Sequence, residues 1–241
     1  MTDKKSGTTS DEQSSAADFS HDGDQHNYIR RGGRLTAGQA RSLSQLTDRY
    51  VVHNIPAPRV SARELGIEIG FGMGHALVEW ADRCPDWDLF GIELYQPGVG
   101  ALMSALEVRD LKNVQIIQRP AQLVLAELGD QSVHEIRIYF PDPWPKKRHA
   151  KRRLIQPEFA AELARVLCSE GLLRVATDWM PYAEWMRECF APVTSLRCEL
   201  DETRLAEQTQ GAEQHNRPVT KFEARGQRLG HEIVDLVYCR Q

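Results

Sequence analysis

No stretch of the chain stays apolar for the roughly 18 residues that a membrane-crossing helix needs, so a soluble protein is expected. A secretory signal is missing as well. Cysteine is sparse: Cys84, Cys168, Cys189, Cys198 and Cys239 are odd in number, widely spaced, and include no pair at metal-ligand spacing. That pattern argues against a disulfide framework or a metal cluster and fits a reducing cytoplasm. The histidines are scattered, and none has the neighbours of a catalytic base. No internal repeat of useful period is found.

Large apolar side chains are nearly absent from residues 1–25, a stretch of Ser, Thr, Asp and Gly that cannot offset the entropy of ordering. A disordered tail over residues 1–27 is expected, followed by a single domain over 28–241. Asp3, Asp11, Glu12, Asp18, Asp22 and Asp24 against Lys4 and Lys5 give the tail the whole net charge of −4. The body is therefore formally neutral, and a dense basic segment within it bears on partners more than the total does.

Short apolar runs at Leu65–Ile69, Asp88–Leu94, Val114–Ile117, Glu135–Phe140 and Leu172–Thr177 read as strands. Helix-length segments such as Leu154–Leu167 lie between them, which predicts right-handed crossovers and a parallel sheet. Val193–Cys198 and His231–Cys239 read as two more strands, pairing antiparallel at one edge. The fold class is α/β: a Rossmann-like, doubly wound, mostly parallel sheet of seven strands with an antiparallel C-terminal pair.

Two segments carry chemistry. Glu68-Ile-Gly70-Phe-Gly72-Met-Gly74 ends the first strand and opens a helix, where backbone N–H groups are expected to face a ligand. The spacing is Gly-x-Gly-x-Gly, unlike the dinucleotide fingerprint, and tilts the reading from a nicotinamide cofactor towards S-adenosylmethionine. Glu93 closes the second strand about 25 residues on, where a carboxylate can accept from both ribose hydroxyls. Taken alone, the glycines also suit a plain tight turn.

The second segment runs from Phe140-Pro-Asp-Pro-Trp144 into Lys146, Lys147, Arg148, Lys151, Arg152 and Arg153, with no acid among these cations. Pro141 and Pro143 fix their own φ and bias the residues before them towards extended backbone, so Asp142 is expected on a stiff loop at a strand end. An aspartate that caps the next turn is the plainer reading. The unbalanced cations read as a phosphate track of about six contacts. Trp144 suits core cover and base stacking equally. Arg30, Arg31 and Arg34 form a second, weaker basic segment.

These residues resemble the bacterial tRNA (guanine-N7-)-methyltransferases of the TrmB type, from about Tyr28 to the end of the chain. The motifs are Arg30-Arg-Gly-Gly-Arg-Leu-Thr-Ala-Gly-Gln39, Glu68 to Gly74, Phe90-Gly-Ile-Glu93, Phe140 to His149, Ala176-Thr-Asp-Trp179 and Thr220-Lys-Phe-Glu223. The resemblance implies methyl transfer from S-adenosylmethionine to N7 of a guanine in the tRNA variable loop, position 46 in tRNA numbering. It implies cofactor contacts at Glu68, Gly70, Glu93 and Asp142, with Asp142 also catalytic. Lys146, Asp178, Thr220, Lys221, Phe222 and Glu223 become substrate contacts.

One position departs from the family. After the third strand an aspartate usually approaches the adenine amino group, whereas this chain has Gln118-Arg-Pro120, so Pro120 is a cofactor-site position without a carboxylate or an N–H. Guanine N7 has an in-plane lone pair and no proton, so the transfer needs no metal and no covalent nucleophile. Alignment and negative potential are what the site has to supply, and Asp142 and Asp178 suit those tasks. A helix N-cap is an equal reading of Asp178. The partner expected is tRNA, with no membrane and no obligatory protein partner. A non-catalytic RNA-binding protein, or a methyltransferase of another nucleic acid or of protein, stays open at this point.

Overall fold

The computed structural model describes residues 33–53, 63–205 and 232–241. The expected tail, and the arginines at positions 30 and 31, lie outside these residues. The described chain runs α1 (Ala37–Tyr50), β1 (Leu65–Ile69), α2 (His75–Arg83), β2 (Asp88–Ile92), α3 (Gln96–Val108), β3 (Val114–Ile117), α4 (Ala121–Glu127) and β4 (Val133–Tyr139). It continues with a 3-10 helix (Lys147–Arg152), α5 (Pro157–Val166), β5 (Leu167–Thr177), α6 (Met180–Phe190), β6 (Leu196–Leu205) and β7 (Glu232–Arg240).

The strands form one seven-stranded sheet in the order β3-β2-β1-β4-β5-β7-β6. The first five are parallel, and β7 is antiparallel to both β5 and β6. From β1 the chain winds outward through β2 and β3, then returns to place β4 on the other side of β1. That reversal opens a crevice beyond the carboxyl ends of β1 and β4, the usual ligand position in such sheets.

Several boundaries differ from expectation. α5 starts at Pro157, a residue preorganised for the first helical position, and gives way to β5 at Leu167, ahead of the expected Leu172. β6 begins at Leu196 because Val193 closes a turn by donating to the Phe190 carbonyl at 3.0 Å. It then runs on through Asp201 and Glu202: on an edge strand polar side chains reach water, which hides the strand from apolar periodicity.

Alternation along the strands sorts side chains onto two faces. Ile67, Ile69, Ile136 and Ile138 join a buried core with α4, α5 and α6, each such side chain contributing roughly 1.5–3 kcal/mol. Gly66, Glu68, Glu135 and Arg137 alternate with them and face α2. There the Arg137 guanidinium lies 3.6 Å over the Trp80 ring and is 1% exposed. Its Nε donates to Glu135 Oε1 at 2.6 Å, and Arg174 Nε donates to the same oxygen at 3.0 Å. Gly66 makes the room: a Cβ there would lie 2.5 Å from the Trp80 indole.

α1 begins with a capping box, in which Gln39 N donates to Thr36 Oγ1 and Thr36 N donates to Gln39 Oε1. The segment that resembles a family motif is here a helix start. No described helix is long and apolar enough to cross a membrane.

Candidate active site

The glycine-rich turn takes three left-handed residues in alternation, Gly70, Gly72 and Gly74, at φ 74°, 55° and 81°. A side chain at any of them would be strained. Beyond Gly70 and Gly72 there is open space, since an added Cβ would meet nothing within 4 Å among the described residues. Their N–H groups are not free, however, contrary to expectation. Gly70 N donates to the Ile92 carbonyl, Gly74 N to the Phe71 carbonyl, and Gly72 N to Glu93 Oε2 at 2.9 Å. The carboxylate that this turn holds is the protein's own.

Glu93 follows β2 at the start of the loop to α3. Besides Gly72, it accepts at Oε1 from Leu94 N at 2.7 Å and Tyr95 N at 3.0 Å. A carboxylate offers about four lone-pair sites, so three backbone donors leave about one for a ligand hydroxyl rather than two. α3 and the turn also touch directly, because Gly98 packs against the Gly72 carbonyl with no space for a Cβ.

Glu68, on β1, is 3% exposed, and its Oε2 has no hydrogen-bond partner among the described residues. Burial pushes its carboxyl up to about 8, against the pull of Arg137 and with a further push from Glu93. Near neutrality it therefore holds a proton that it can donate. Arg137, its register partner on β4, has an equally unpartnered Nη1 among the described residues.

Asp142 is exposed on the loop after β4, and Asp178 is half-buried after β5. Tyr139 pairs with Ala176, so both carboxylates leave neighbouring strands at one level of the sheet edge. The proline rule fails around Asp142: Phe140 and Trp144 both precede prolines and both have positive φ, at 51° and 44°. A left-handed non-glycine residue is strained by about 1–3 kcal/mol and persists only where its surroundings hold it. Here the ladder bond from Phe140 N to the Ala176 carbonyl and a small cluster of Ala76, Tyr139 and Ala176 do so. Asp178 is not an N-cap. That position is Trp179, whose N–H goes to Thr177 Oγ1 at 3.3 Å.

The basic run forms the 3-10 helix, in which residues three apart eclipse. Lys146, His149 and Arg152 thus share one side, and Trp144 packs against it, with Arg152 5.2 Å from its ring centre and His149 meeting it edge-on at 5.7 Å. Trp144 is half-buried and covers the basic segment itself, not the main core. Desolvation, followed by the charges of Arg152, Arg148 and Lys146, holds His149 below the usual histidine range. Arg153 does not belong to the phosphate track: it is 7% exposed, with its guanidinium 5.2–5.5 Å from the rings of Trp179, Tyr182 and Trp185. Lys146, Lys147, Arg148 and Lys151 stay exposed.

Pro120 is the N-cap of α4, and its carbonyl accepts from Leu123 and Val124. The flanking amide atoms Gln118 Nε2 and Gln122 Oε1 are buried without partners among the described residues. Neither residue stands out in the sequence; the strand-end position of Gln118 is the one signal that could have found it. Thr220, Lys221, Phe222 and Glu223 lie outside the described residues.

Residues 62–236 match a family model described as "Putative methyltransferase". A tRNA (guanine-N(7)-)-methyltransferase of Alkalilimnicola ehrlichii is 42% identical over 223 residues, covering 89% of this chain and 92% of that protein. One of the same name from Acidovorax is 41% identical over 237 residues, covering 95% and 91%. The chain belongs to the tRNA (guanine-N(7)-)-methyltransferase family. Among solved structures, an antibiotic-related methyltransferase aligns at a TM-score of 0.55 with 13% identity over 88% of this chain and 98% of that one. The 16S rRNA methyltransferase KamB aligns at 0.52 with 15% identity over 89% and 99%. These two structures support the fold alone.

The strand-end residues fit the methyl donor of such enzymes. Among the described residues Glu68 has an oxygen without a partner, Glu93 retains a lone-pair site, and the open space over Gly70 and Gly72 admits a ligand against the backbone.

Proposed function

We propose that the chain transfers the methyl group of S-adenosylmethionine to N7 of guanine 46 in the variable loop of tRNA, in the cytoplasm. The observation that carries this reading is identity of about 40% to tRNA (guanine-N(7)-)-methyltransferases over nearly the whole of both chains. Residues described in the site supply its physical basis.

When bound, the donor provides a sulfonium methyl that N7 attacks directly, leaving S-adenosylhomocysteine. The protein's part is to line up N7 with that carbon and to meet the positive charge that develops on the base. Asp142 and Asp178 bring two carboxylates to adjacent strand ends. One accepts from guanine N1–H and the 2-amino group, which selects guanine; the other steadies the cationic product. Glu93 holds the ribose through its remaining site, and Glu68 donates to the donor's polar end. Lys146 and the exposed cations after it run along the phosphates. Thr220, Lys221, Phe222 and Glu223 receive the guanine once it has left its stack, a displacement of a few kcal/mol that a stacking and hydrogen-bonding pocket offsets.

The test is incubation of the purified protein with S-adenosylmethionine and unmodified tRNA transcript, followed by mapping of 7-methylguanine. Methylation at position 46 alone is expected. Binding of tRNA without methylation would favour a non-catalytic protein, and a methyl group elsewhere would replace the substrate.

A further inference from the structure

The carboxyl ends of four adjacent parallel strands, β4, β1, β2 and β3, each present a polar residue: Asp142, Glu68, Glu93 and Gln118. The last three lie on one face. Glu68 alternates with Ile67 and Ile69, which belong to the opposite core, while Gln118 follows the parity of Val114 and Ile116 on the α2 and α3 side. Register makes Glu93 and Gln118 neighbours, because Ile92 pairs with Ile117 and Glu93 N donates to the Ile117 carbonyl at 3.2 Å.

Strands are spaced by about 4.8 Å, so this row of four spans about 14 Å, the length of a nucleoside together with a substituent on its 5′ carbon. A ligand with its reacting methyl beside Asp142 and its ribose at Glu93 has to carry its base one strand further, over the end of β3. At that place Pro120 itself offers neither a carboxylate nor an N–H. Its flanking residues do offer something. Gln118 Nε2 is a buried donor and Gln122 Oε1 a buried acceptor, and neither has a partner among the described residues. The outer edge of adenine carries the complement, a 6-amino donor beside the N1 acceptor.

We infer that the carboxamides of Gln118 and Gln122 read the adenine of the methyl donor in this chain, Gln122 accepting from the 6-amino group and Gln118 donating to N1. The assignment rests on the donor proposed above. It makes the two glutamines specificity-determining residues, and it accounts for how an adenine site works with proline at position 120. Among the described residues their polar atoms have no partner, and the base would supply one.

That gives the substitutions an unusual signature. Gln118→Met and Gln122→Met are near in shape and remove a buried atom that has no partner among the described residues, so the ligand-free Tm should hold or rise while ligand affinity falls. Calorimetric titration of the full chain with S-adenosylhomocysteine should show each variant weakened about three- to ten-fold, one neutral hydrogen bond's worth. S-inosylhomocysteine, with a carbonyl in place of the 6-amino group and a protonated N1, should bind wild type more weakly than the adenine compound, and both variants should narrow that gap. Unchanged S-adenosylhomocysteine affinity in both variants overturns the inference, as does a lowered ligand-free Tm with affinity intact, which would make the glutamines packing residues. A wild-type protein that binds neither nucleoside would overturn the donor assignment itself.

Discussion

Arg153 donates from Nε to the carbonyl of Pro143 at 3.1 Å. The same guanidinium sits among Trp179, Tyr182 and Trp185, so one side chain ties the Asp142 loop to the start of α6, just after Asp178. Arg153→Ala should lose a charge-assisted hydrogen bond and several ring contacts, destabilising the protein by about 2–4 kcal/mol in denaturant titration. Arg153→Lys should fall between, since an ammonium keeps the charge without the planar fork. Neither should change the salt dependence of tRNA binding.

The exposed cations should behave in the opposite way. With Arg153 withdrawn, the exposed Lys146, Lys147, Arg148 and Lys151 together with the half-buried Arg152 leave about five phosphate contacts, and tRNA affinity should drop roughly 500-fold between 50 and 200 mM salt. Lys147→Ala or Arg148→Ala should reduce the slope of log K against log salt by nearly 1, with little effect on Tm. An unchanged slope would remove the segment from the interface.

Asp142→Asn keeps size and removes charge. Turnover at saturating tRNA should fall by roughly 10²-fold or more, the scale of losing one electrostatic stabiliser, while tRNA affinity stays within a few-fold. Full turnover would end the catalytic assignment.

Glu68 should leave a pH signature. Its folded carboxyl lies at about 8 against an ordinary 4.5, so the folded state binds the proton more tightly than the unfolded chain does. The stability that Glu68 contributes is then complete below 4.5 and lost as pH rises through 8. Relative to wild type, Glu68→Gln should gain stability across that window, on the order of 1.4 kcal/mol per pH unit at the steepest. A Tm difference that is flat with pH would mean that Arg137 keeps Glu68 ionised.

Gly72→Ala separates conformation from crowding. Its φ of 55° penalises any side chain, yet a methyl group would meet nothing within 4 Å among the described residues. The ligand-free protein should lose about 1–2 kcal/mol, from the backbone alone. S-adenosylhomocysteine affinity should fall further, because the methyl projects into the space assigned to the ligand.

Much of this arrangement is legible in the sequence, and the exceptions share a cause. β1 and β3 coincide with their apolar runs residue for residue because burial dictates the pattern in both: β1 lies inside the sheet, and β3, at its edge, is covered by Val51, which bridges to Ile116, and buries three of its four residues. The strand-end placement of Glu68, Glu93 and Asp142 follows from those runs. What the sequence conceals depends on partners remote along the chain. Arg153 looks like its neighbours until three rings from the α6 region surround it. The glycine N–H groups look available until Glu93 folds back onto one of them. Local proline rules predict extended backbone at Phe140 and Trp144, and tertiary packing overrides them.

The fit of Gly66 under Trp80 reaches beyond stability, into how the sequence can drift. The indole occupies the place of a Cβ at position 66 and roofs Arg137, whose charge in turn requires Glu135. A side chain added at position 66 would clash with the indole, and loss of Glu135 would strand the charge of Arg137. Among relatives, they are expected to be inherited as a linked set: a chain with a side chain at position 66 should have given up the indole and, with it, the arginine beneath.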